Sequence, residues 1–205
     1  FALLDGTPVF SPDGTLVYAR VVDASKLDDP AASRAGVWDT QTGAAVSSFR
    51  PLAIVREALF SADGRLVLTR EPDTAELWET RTGERLAALR GHGSSNTDSL
   101  TAASFDPAGT LVLTAGADGT AKVWDARTGQ TLATLRQTPQ VEGYGVPTAR
   151  FSPDGSRLLV VDAAEVNVYA CEECGTAAEL VRLADKRIAR GATNADRARL
   201  ARITR

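Results

Sequence analysis

The sequence has no methionine, one histidine and only two cysteines. Two cysteines exclude a disulfide-dense fold, and 43% hydrophobic with 24% charged residues excludes a disordered or collagen-like chain. No apolar run approaches the roughly 18 to 20 residues of a membrane-spanning helix, so we expect no membrane span. Because the chain starts at Phe1 without methionine, we expect a piece of a longer protein, and its 205 residues predict one domain or two small ones.

The charge is unevenly distributed along the chain. Eight Arg and Lys residues against two Asp give residues 182–205 a net charge of +6, so residues 1–181 carry −9 of the total of −3. A basic tail beside an acidic body usually docks on that body or on a neighbouring domain. Because no aromatic residues are interleaved with these arginines, we do not expect nucleic acid as a partner.

A short motif recurs four times and is the main signal of the fold. The copies are FSPDG at 10–14, FSADG at 60–64, FDPAG at 105–109 and FSPDG at 151–155, so the Phe residues are 50, 45 and 46 positions apart. A second series follows them at Trp38, Trp78, Trp124 and Tyr169, which lie 28, 18, 19 and 18 residues after the respective Phe. The chain is therefore built of four repeats, the first with an insertion of about ten residues.

Each repeat is expected to form four short antiparallel strands. In the third repeat the alternating and β-branched segments predict strands over 100–105, 110–115, 120–125 and 131–136. Pro, Asp and Gly between these segments are typical turn residues. One such sheet cannot bury both faces alone, so the repeats must stack side by side around an axis. The predicted fold class is all-β.

These residues resemble the WD-repeat β-propeller family over about residues 8–170, through the FSPDG-type turns, the Trp-Asp pairs and Gly91-His92. The resemblance implies blades at about 5–50, 51–90, 91–136 and 137–170, and seven blades as the usual closed ring. We therefore expect about four blades of a larger propeller, completed by another chain or by a second copy. A four-bladed ring is the alternative. Residues 1–4 are expected to form the outer strand of the final blade or of a missing one.

The third repeat matches the hydrogen-bond network of the family residue by residue, at His92, Thr114, Asp118 and Trp124. A buried indole N–H needs an acceptor, a hydroxyl can accept and pass on a hydrogen bond, and an imidazole held by a carboxylate completes the chain. We interpret the single histidine as part of this network rather than as a ligand or a general base. The other repeats have no preceding histidine, so we expect apolar stacking to hold them.

The pattern changes to helical spacing after residue 170, and we predict a basic helical extension over 171–205. Together with Cys171 and Cys174 it is similar to the C-terminal tails of bacterial WD-repeat regions fused to STAND-type ATPases or Ser/Thr kinases. One distant histidine cannot complete a zinc site with these cysteines, and we expect no metal or cofactor. We prefer two reduced cysteines packed at the junction, although a dithiol switch is the alternative. The low cysteine count indicates a cytoplasmic location.

Irregular connections at 23–35, 91–99 and 137–147 are expected to lie at one end of the propeller, where repeat scaffolds usually build recognition surfaces. The candidate contact residues there are Asp23, Arg70, Glu71 and Tyr144. Merely tolerated surface insertions are the alternative.

We expect a non-catalytic protein-interaction or sensor module of a bacterial signalling protein, bound to a protein partner and in an oligomer if the ring is shared. An architectural scaffold or assembly subunit is the alternative. A third reading is an enzyme with its site in the central channel, which needs several inward-facing acidic residues or histidines. Among the first strands Glu57 alone is a plausible ligand, and no P-loop, nucleophile elbow or zinc-protease motif occurs, so we predict no catalytic residues.

Overall fold

The structure is a computed structural model that describes residues 2–4, 8–23, 33–51, 54–92, 99–136, 148–161 and 166–171. The contact candidate Tyr144 and the expected helical extension beyond Cys171 lie outside the described residues.

The described residues form sixteen strands and no helix. The strands are β1 (Ala2–Leu4), β2 (Val9–Phe10), β3 (Leu16–Asp23), β4 (Ser33–Asp39), β5 (Ala45–Phe49), β6 (Glu57–Phe60), β7 (Leu66–Arg70), β8 (Ala75–Glu79), β9 (Arg85–Leu89), β10 (Leu100–Phe105), β11 (Leu111–Gly116), β12 (Thr120–Asp125), β13 (Thr131–Arg136), β14 (Thr148–Phe151), β15 (Arg157–Val161) and β16 (Val166–Ala170).

These strands form four antiparallel sheets, one for each repeat. Sheet 1 contains β1 to β5, sheet 2 runs β6-β7-β8-β9, sheet 3 runs β10-β11-β12-β13, and sheet 4 runs β14-β15-β16. From β2 onward, consecutive strands pair as hairpins within each sheet, as the turn residues predict. The expected all-β architecture of antiparallel blades is confirmed, with four strands in sheets 2 and 3, and with five in sheet 1 and three in sheet 4 among the described residues.

All four sheets share one register between their two middle strands. The second aromatic of each repeat lies opposite an aliphatic residue on the preceding strand, in the pairs Val17–Trp38, Val67–Trp78, Val112–Trp124 and Leu158–Tyr169. Successive side chains of a strand alternate between the two faces of its sheet, so one register places the same repeat positions on the same face each time.

The sheets stack face to face in chain order, and three hydrophobic clusters fill the junctions. Each cluster combines the aliphatic face of one sheet with the face of the next sheet that carries the Trp or Tyr. Val37 and Phe49 pack with Trp78 between sheets 1 and 2, Leu77 and Leu89 with Trp124 between sheets 2 and 3, and Leu113 and Val123 with Tyr169 between sheets 3 and 4. The stacking expected from the repeats is therefore confirmed.

Aromatic rings reinforce the junction between sheets 1 and 2. The ring of Phe49 lies 5.2 Å from that of Trp78, centroid to centroid, with an interplanar angle of 14°. The Phe49 ring also stacks with that of Tyr18, at 5.9 Å between centroids. Burial raises the pKa of the Tyr18 hydroxyl far above its usual value, so this group stays protonated.

The position of the first strand differs from expectation. β1 pairs antiparallel with the far end of β3, in the register Leu4 with Val21, while β2 pairs with the near end of β3. Residues 2–4 therefore belong to the inner edge of sheet 1, and the expectation that this segment supplies the outer strand of another blade is wrong. The segment adopts this place because the insertion in the first repeat lengthens β3, which then offers free backbone groups to a second short strand.

The insertion in the first repeat also lengthens a hairpin rather than only a loop. β3 and β4 pair continuously from Leu16–Asp39 to Val22–Ser33, so ladder pairing extends into the segment expected to be irregular.

Cys171 follows β16, is buried and is disulfide-bonded. The preferred interpretation of two reduced cysteines is therefore wrong. The burial is as expected, because Cys171 joins the hydrophobic cluster between sheets 3 and 4.

Stacking predicts a large difference between two leucines of sheet 2. Leu77 is fully buried in the junction with sheet 3, whereas Leu86 on the outer strand is 36% exposed. We expect Leu77→Ala to lower the free energy of unfolding by about 2–5 kcal/mol, because it leaves a cavity between two sheets. The matched variant Leu86→Ala should change it by no more than about 0.5 kcal/mol. Urea denaturation measures both, and similar losses for the two variants would contradict stacking at this face.

Candidate functional site

The structure brings His92, Thr114, Asp118 and Trp124 together in sheet 3. The Trp124 indole Nε1 donates to Thr114 Oγ1 over 2.8 Å, and the same oxygen lies 2.7 Å from His92 Nε2. On the other side of the ring, His92 Nδ1 lies 3.2 Å from Asp118 Oδ1. The indole and the hydroxyl are buried in the junction with sheet 2, so the network links the connection before β10 to the two middle strands.

The indole can only donate and the Asp118 carboxylate can only accept, and together they fix the direction of the chain of hydrogen bonds when His92 is neutral. Thr114 Oγ1 accepts from Trp124, and its own proton is then available to His92 Nε2. The imidazole in turn donates from Nδ1 to the Asp118 carboxylate. Every polar group of the four is satisfied when His92 is neutral. Burial lowers the pKa of His92 more than the hydrogen bond and charge of Asp118 raise it, which favours this neutral form.

Two further residues complete the network, and sequence reasoning missed both. Thr120 Oγ1 donates to Asp118 Oδ1 over 2.8 Å and lies 3.1 Å from His92 Nδ1, so it fixes the carboxylate and the ring together. Gly116 provides the space for the imidazole, because a Cβ there would overlap His92 Nδ1 and lie 2.7 Å from Asp118 Oδ1. The sequence contains a signal for Gly116, because this glycine lies two positions after Thr114 and two before Asp118.

Sheet 2 keeps half of the same arrangement. The Trp78 indole donates to Thr69 Oγ1 over 2.9 Å, and Asp73 accepts from the backbone and hydroxyl of Ser99 at 3.3 and 3.0 Å. Glu71 occupies the register position of Gly116 and is only 1% exposed. The expectation that apolar stacking holds this repeat is therefore incomplete, because it overlooked the Thr69 hydroxyl two positions after Val67.

The corresponding positions in sheets 1 and 4 are Ala19 and Val160, read from the shared register. Neither side chain can accept a hydrogen bond from an indole, and Tyr169 replaces the Trp of sheet 4. Val160 and Tyr169 both belong to the hydrophobic cluster between sheets 3 and 4.

One end of the stacked sheets is formed by turns of constant length. The connections from the first to the second strand are residues 11–15, 61–65, 106–110 and 152–156, five in each case, and those from the third to the fourth strand are 40–44, 80–84 and 126–130, again five each. We call this the regular end.

Acidic residues of the regular end are bonded within their own turns. Asp154 accepts from the Ser152 and Ser156 hydroxyls and from the Ser156 backbone N–H, and these bonds hold the pKa of Asp154 at about 2. Asp13 accepts in the same way from Ser11 and Thr15, which lowers its pKa. These carboxylates stabilise the turns, and much of their capacity to accept hydrogen bonds is already used.

The connections at the opposite end vary in length, and we call it the irregular end. Those from the second to the third strand are residues 24–32, 71–74, 117–119 and 162–165, that is nine, four, three and four residues. Those between sheets are 50–56, 90–99 and 137–147, that is seven, ten and eleven residues.

The predicted contact residues at this end differ in how exposed they are and in what they bond. Arg70 closes β7 with its side chain 19% exposed, bonded from Nε to Glu57 Oε2 at 3.1 Å and from Nη1 to the Leu100 carbonyl at 3.0 Å. It therefore joins sheets 2 and 3. Glu71 is buried, which argues against a contact role for it. Asp23 ends β3 and its side chain lies outside the described part of the chain, as does all of Tyr144.

Glu57, the one acidic residue singled out for a central channel, has its carboxylate 3.1 Å from the Arg70 guanidinium. Among the described residues, no three His, Cys, Asp or Glu side chains come together as a metal-binding group. The described part of the structure likewise holds no helix with the length and apolar character to cross a membrane.

The network predicts that replacing threonine with valine lowers the unfolding free energy by different amounts in sheets 3 and 2. Thr114→Val removes the acceptor of a buried indole and the partner of a buried imidazole, and we expect it to cost about 1–3 kcal/mol of unfolding free energy. Thr69→Val loses only the bond to Trp78, so its cost should be the smaller of the two. Denaturant titration measures the difference. An equal or larger cost for Thr69→Val would show that His92 adds nothing to the bond with the indole.

His92 also predicts a pH dependence of stability. Its pKa in the folded chain is lowered below the usual value of about 6.5, so over this range the unfolded chain binds more protons than the folded chain. Stability is therefore fully present above that value and is lost as the pH falls through the lowered pKa. We expect the urea midpoint to drop between about pH 7 and pH 5.5 in the wild type. His92→Gln, which removes the only histidine, should flatten this part of the profile, and an unchanged slope would contradict the assignment.

The comparison with known proteins identifies the same part of the chain that carries the complete hydrogen-bond network. The family model described as "WD domain, G-beta repeat" matches residues 83–125, which span β9 to β12 with His92, Thr114, Asp118 and Trp124. No curated protein matches the chain. Repeats of this family are generally non-catalytic modules for protein–protein interaction. Residues 83–125 thus match a repeat of this family, and the four antiparallel sheets in one register are consistent with the fold of β-propeller blades.

Proposed function

We propose that this chain is a non-catalytic protein-interaction module that binds a protein partner through its irregular end. The observation that carries the proposal is the contrast between the two ends. Every described turn of the regular end has five residues, whereas connections at the irregular end range from three to eleven. A rigid repeat scaffold with variable loops at one end is the usual arrangement of a recognition surface.

The described surface of the irregular end offers suitable contacts for a protein. Ile54, in the connection between sheets 1 and 2, is 59% exposed and offers an apolar contact at this end. Arg50 and Arg90 follow the outer strands of sheets 1 and 2 and are also exposed. An apolar side chain and cationic residues at the same end fit a partner that offers both an apolar contact and acidic residues.

Two features support a binding role over a catalytic one. The Glu57 carboxylate, which a channel-centred site would need, is paired with Arg70. His92 is buried within the network, and its neutral imidazole is engaged on both nitrogens by Thr114 and Asp118. Both groups thus support the architecture of the sheets, which favours a role in binding.

We further propose a role as the sensor or partner-binding part of a bacterial signalling protein. This rests on the resemblance of residues 171–205 to tails found in fusions with STAND-type ATPases or Ser/Thr kinases.

The cellular location is a separate question. A disulfide at Cys171 is more typical of oxidising compartments than of a cytoplasm, so it argues against the expected cytoplasmic location.

The test compares two exposed apolar positions at opposite ends. Ile54→Glu changes the irregular end, and Ala62→Glu makes the matched change in an exposed turn of the regular end. We expect a partner captured by the immobilised wild-type chain from an extract of its native cells to bind Ala62→Glu equally well. Its affinity for Ile54→Glu should fall at least about tenfold, or about 1.4 kcal/mol.

Loss of binding in Ala62→Glu alone would refute the assignment of partner binding to the irregular end. A chain that captures no saturable partner, yet forms a fixed assembly, would instead favour the architectural scaffold.

A further inference from the structure

The connection between sheets 2 and 3, residues 90–99, is attached to sheet 2 at its far end. The Leu100 backbone N–H donates to the Pro72 carbonyl over 2.8 Å, and the Ser99 hydroxyl donates to the Asp73 carboxylate over 3.0 Å. These bonds join the start of β10 to the connection at residues 71–74 and involve no histidine.

His92 holds the near end of the same connection against sheet 3. Its side chain is 1% exposed, and both ring nitrogens have partners. Arg90, two positions earlier, is exposed and belongs to the surface through which we propose that a partner binds. We call His92 and the side chains bonded to its ring the histidine clamp, and these side chains are Thr114, Asp118 and Thr120. The clamp thus joins the single histidine of the chain to the irregular end.

The hydrogen bonds of the clamp require a neutral imidazole. Thr114 Oγ1 accepts from Trp124 Nε1 over 2.8 Å and donates its own proton to His92 Nε2 over 2.7 Å. A proton on Nε2 turns this acceptor into a donor, so the hydroxyl proton must turn to another acceptor. The Lys122 carbonyl lies 3.5 Å from Oγ1, beyond the usual length of a hydroxyl hydrogen bond. Protonation of His92 therefore replaces a short hydrogen bond with a much weaker one.

The charged groups that act on the imidazole are Asp118, between β11 and β12, and Lys122 on β12. Burial is the largest cause that lowers the pKa of His92, the Lys122 ammonium lowers it further, and Asp118 opposes them without reversing the shift. Released into water, an imidazole has its ordinary pKa of about 6.5. A proton thus binds the released histidine more tightly than the clamped one, and acid favours release.

We infer that protonation of His92 releases the near end of the connection between sheets 2 and 3, and that mild acid thereby weakens partner binding at the irregular end. The second half of this inference rests on the proposed function. The release is local, because the cluster between sheets 2 and 3 is apolar and the far end of the connection keeps its bonds to Pro72 and Asp73. It therefore precedes the loss of global stability at lower pH.

Hydrogen–deuterium exchange with mass spectrometry tests the release without any partner. Peptides that contain residues 90–92 are compared at about pH 7.5 and about pH 5.5, after correction for the intrinsic pH dependence of exchange. In the wild type the opening equilibrium should rise by up to about tenfold, the limit set by an ordinary imidazole pKa of about 6.5. Peptides from β11 and β12 should show a smaller change, because they stay packed in the sheet.

Two variants separate titration of the histidine from a general effect of acid. His92→Gln removes the titrating group, so exchange in residues 90–92 should be the same at both pH values, whatever its level. Lys122→Gln keeps the clamp but removes a charge that lowers the pKa of His92, so the rise on acidification should be smaller than in the wild type. Wild-type exchange that does not depend on pH would overturn the inference, as would an equal rise in His92→Gln.

Binding of the partner captured by the immobilised wild-type chain is then measured at the same two pH values. Its affinity for the wild type should fall by up to about tenfold at the lower pH, while its affinity for His92→Gln should not change with pH. Release without a change in wild-type affinity would refute the regulation of binding. If no partner is captured, the proposed function and its regulation both fail, whereas release of the connection is decided by the exchange result alone.

Discussion

The burial of one sheet's face by the next is the interaction on which the rest of this structure depends. A sheet of four strands of about five residues has two faces and no means of covering either by itself. The chain resolves this by repetition, since each repeat presents one largely aliphatic face, which in sheet 1 also carries Tyr18 and Phe49, and one face that carries the Trp or Tyr. The junctions contain Leu, Val and Ala against Trp or Tyr, and their residues are among the most buried in the molecule.

Shared register makes this repetition possible. A shift of the strand pairing by one residue would move the Trp or Tyr of that sheet to the opposite face and remove it from the hydrophobic junction. The hydrogen-bond network of sheet 3 secures the register by tying the indole on one strand to a hydroxyl on its neighbour. Sheet 2 uses the same bond with a different set of supporting groups, whereas sheets 1 and 4 have an apolar residue at the hydroxyl position. The network is thus an addition to the stacking and not a condition for it.

The sequence predicted much of this architecture because its signals were local and repeated. Strands β10, β12 and β13 have the bounds that alternation and turn residues indicated. The place of β1 could not be foreseen, because it depends on a free edge created by the longer β3, which is a tertiary consequence of an insertion. Glu71 was misjudged for a similar reason: a charged residue after a strand is usually solvated, and only its register position beside a junction shows that it is buried.

The most direct measurement of lateral stacking is a nuclear Overhauser contact between aromatic side chains of different sheets. The rings of Phe49 in sheet 1 and Trp78 in sheet 2 are 5.2 Å apart, although the two residues are 29 positions apart in the sequence. The account predicts strong cross-peaks between their ring protons, and between the Trp124 indole and the methyl groups of Leu77 or Leu89. Cross-peaks confined to residues of the same sheet would contradict it.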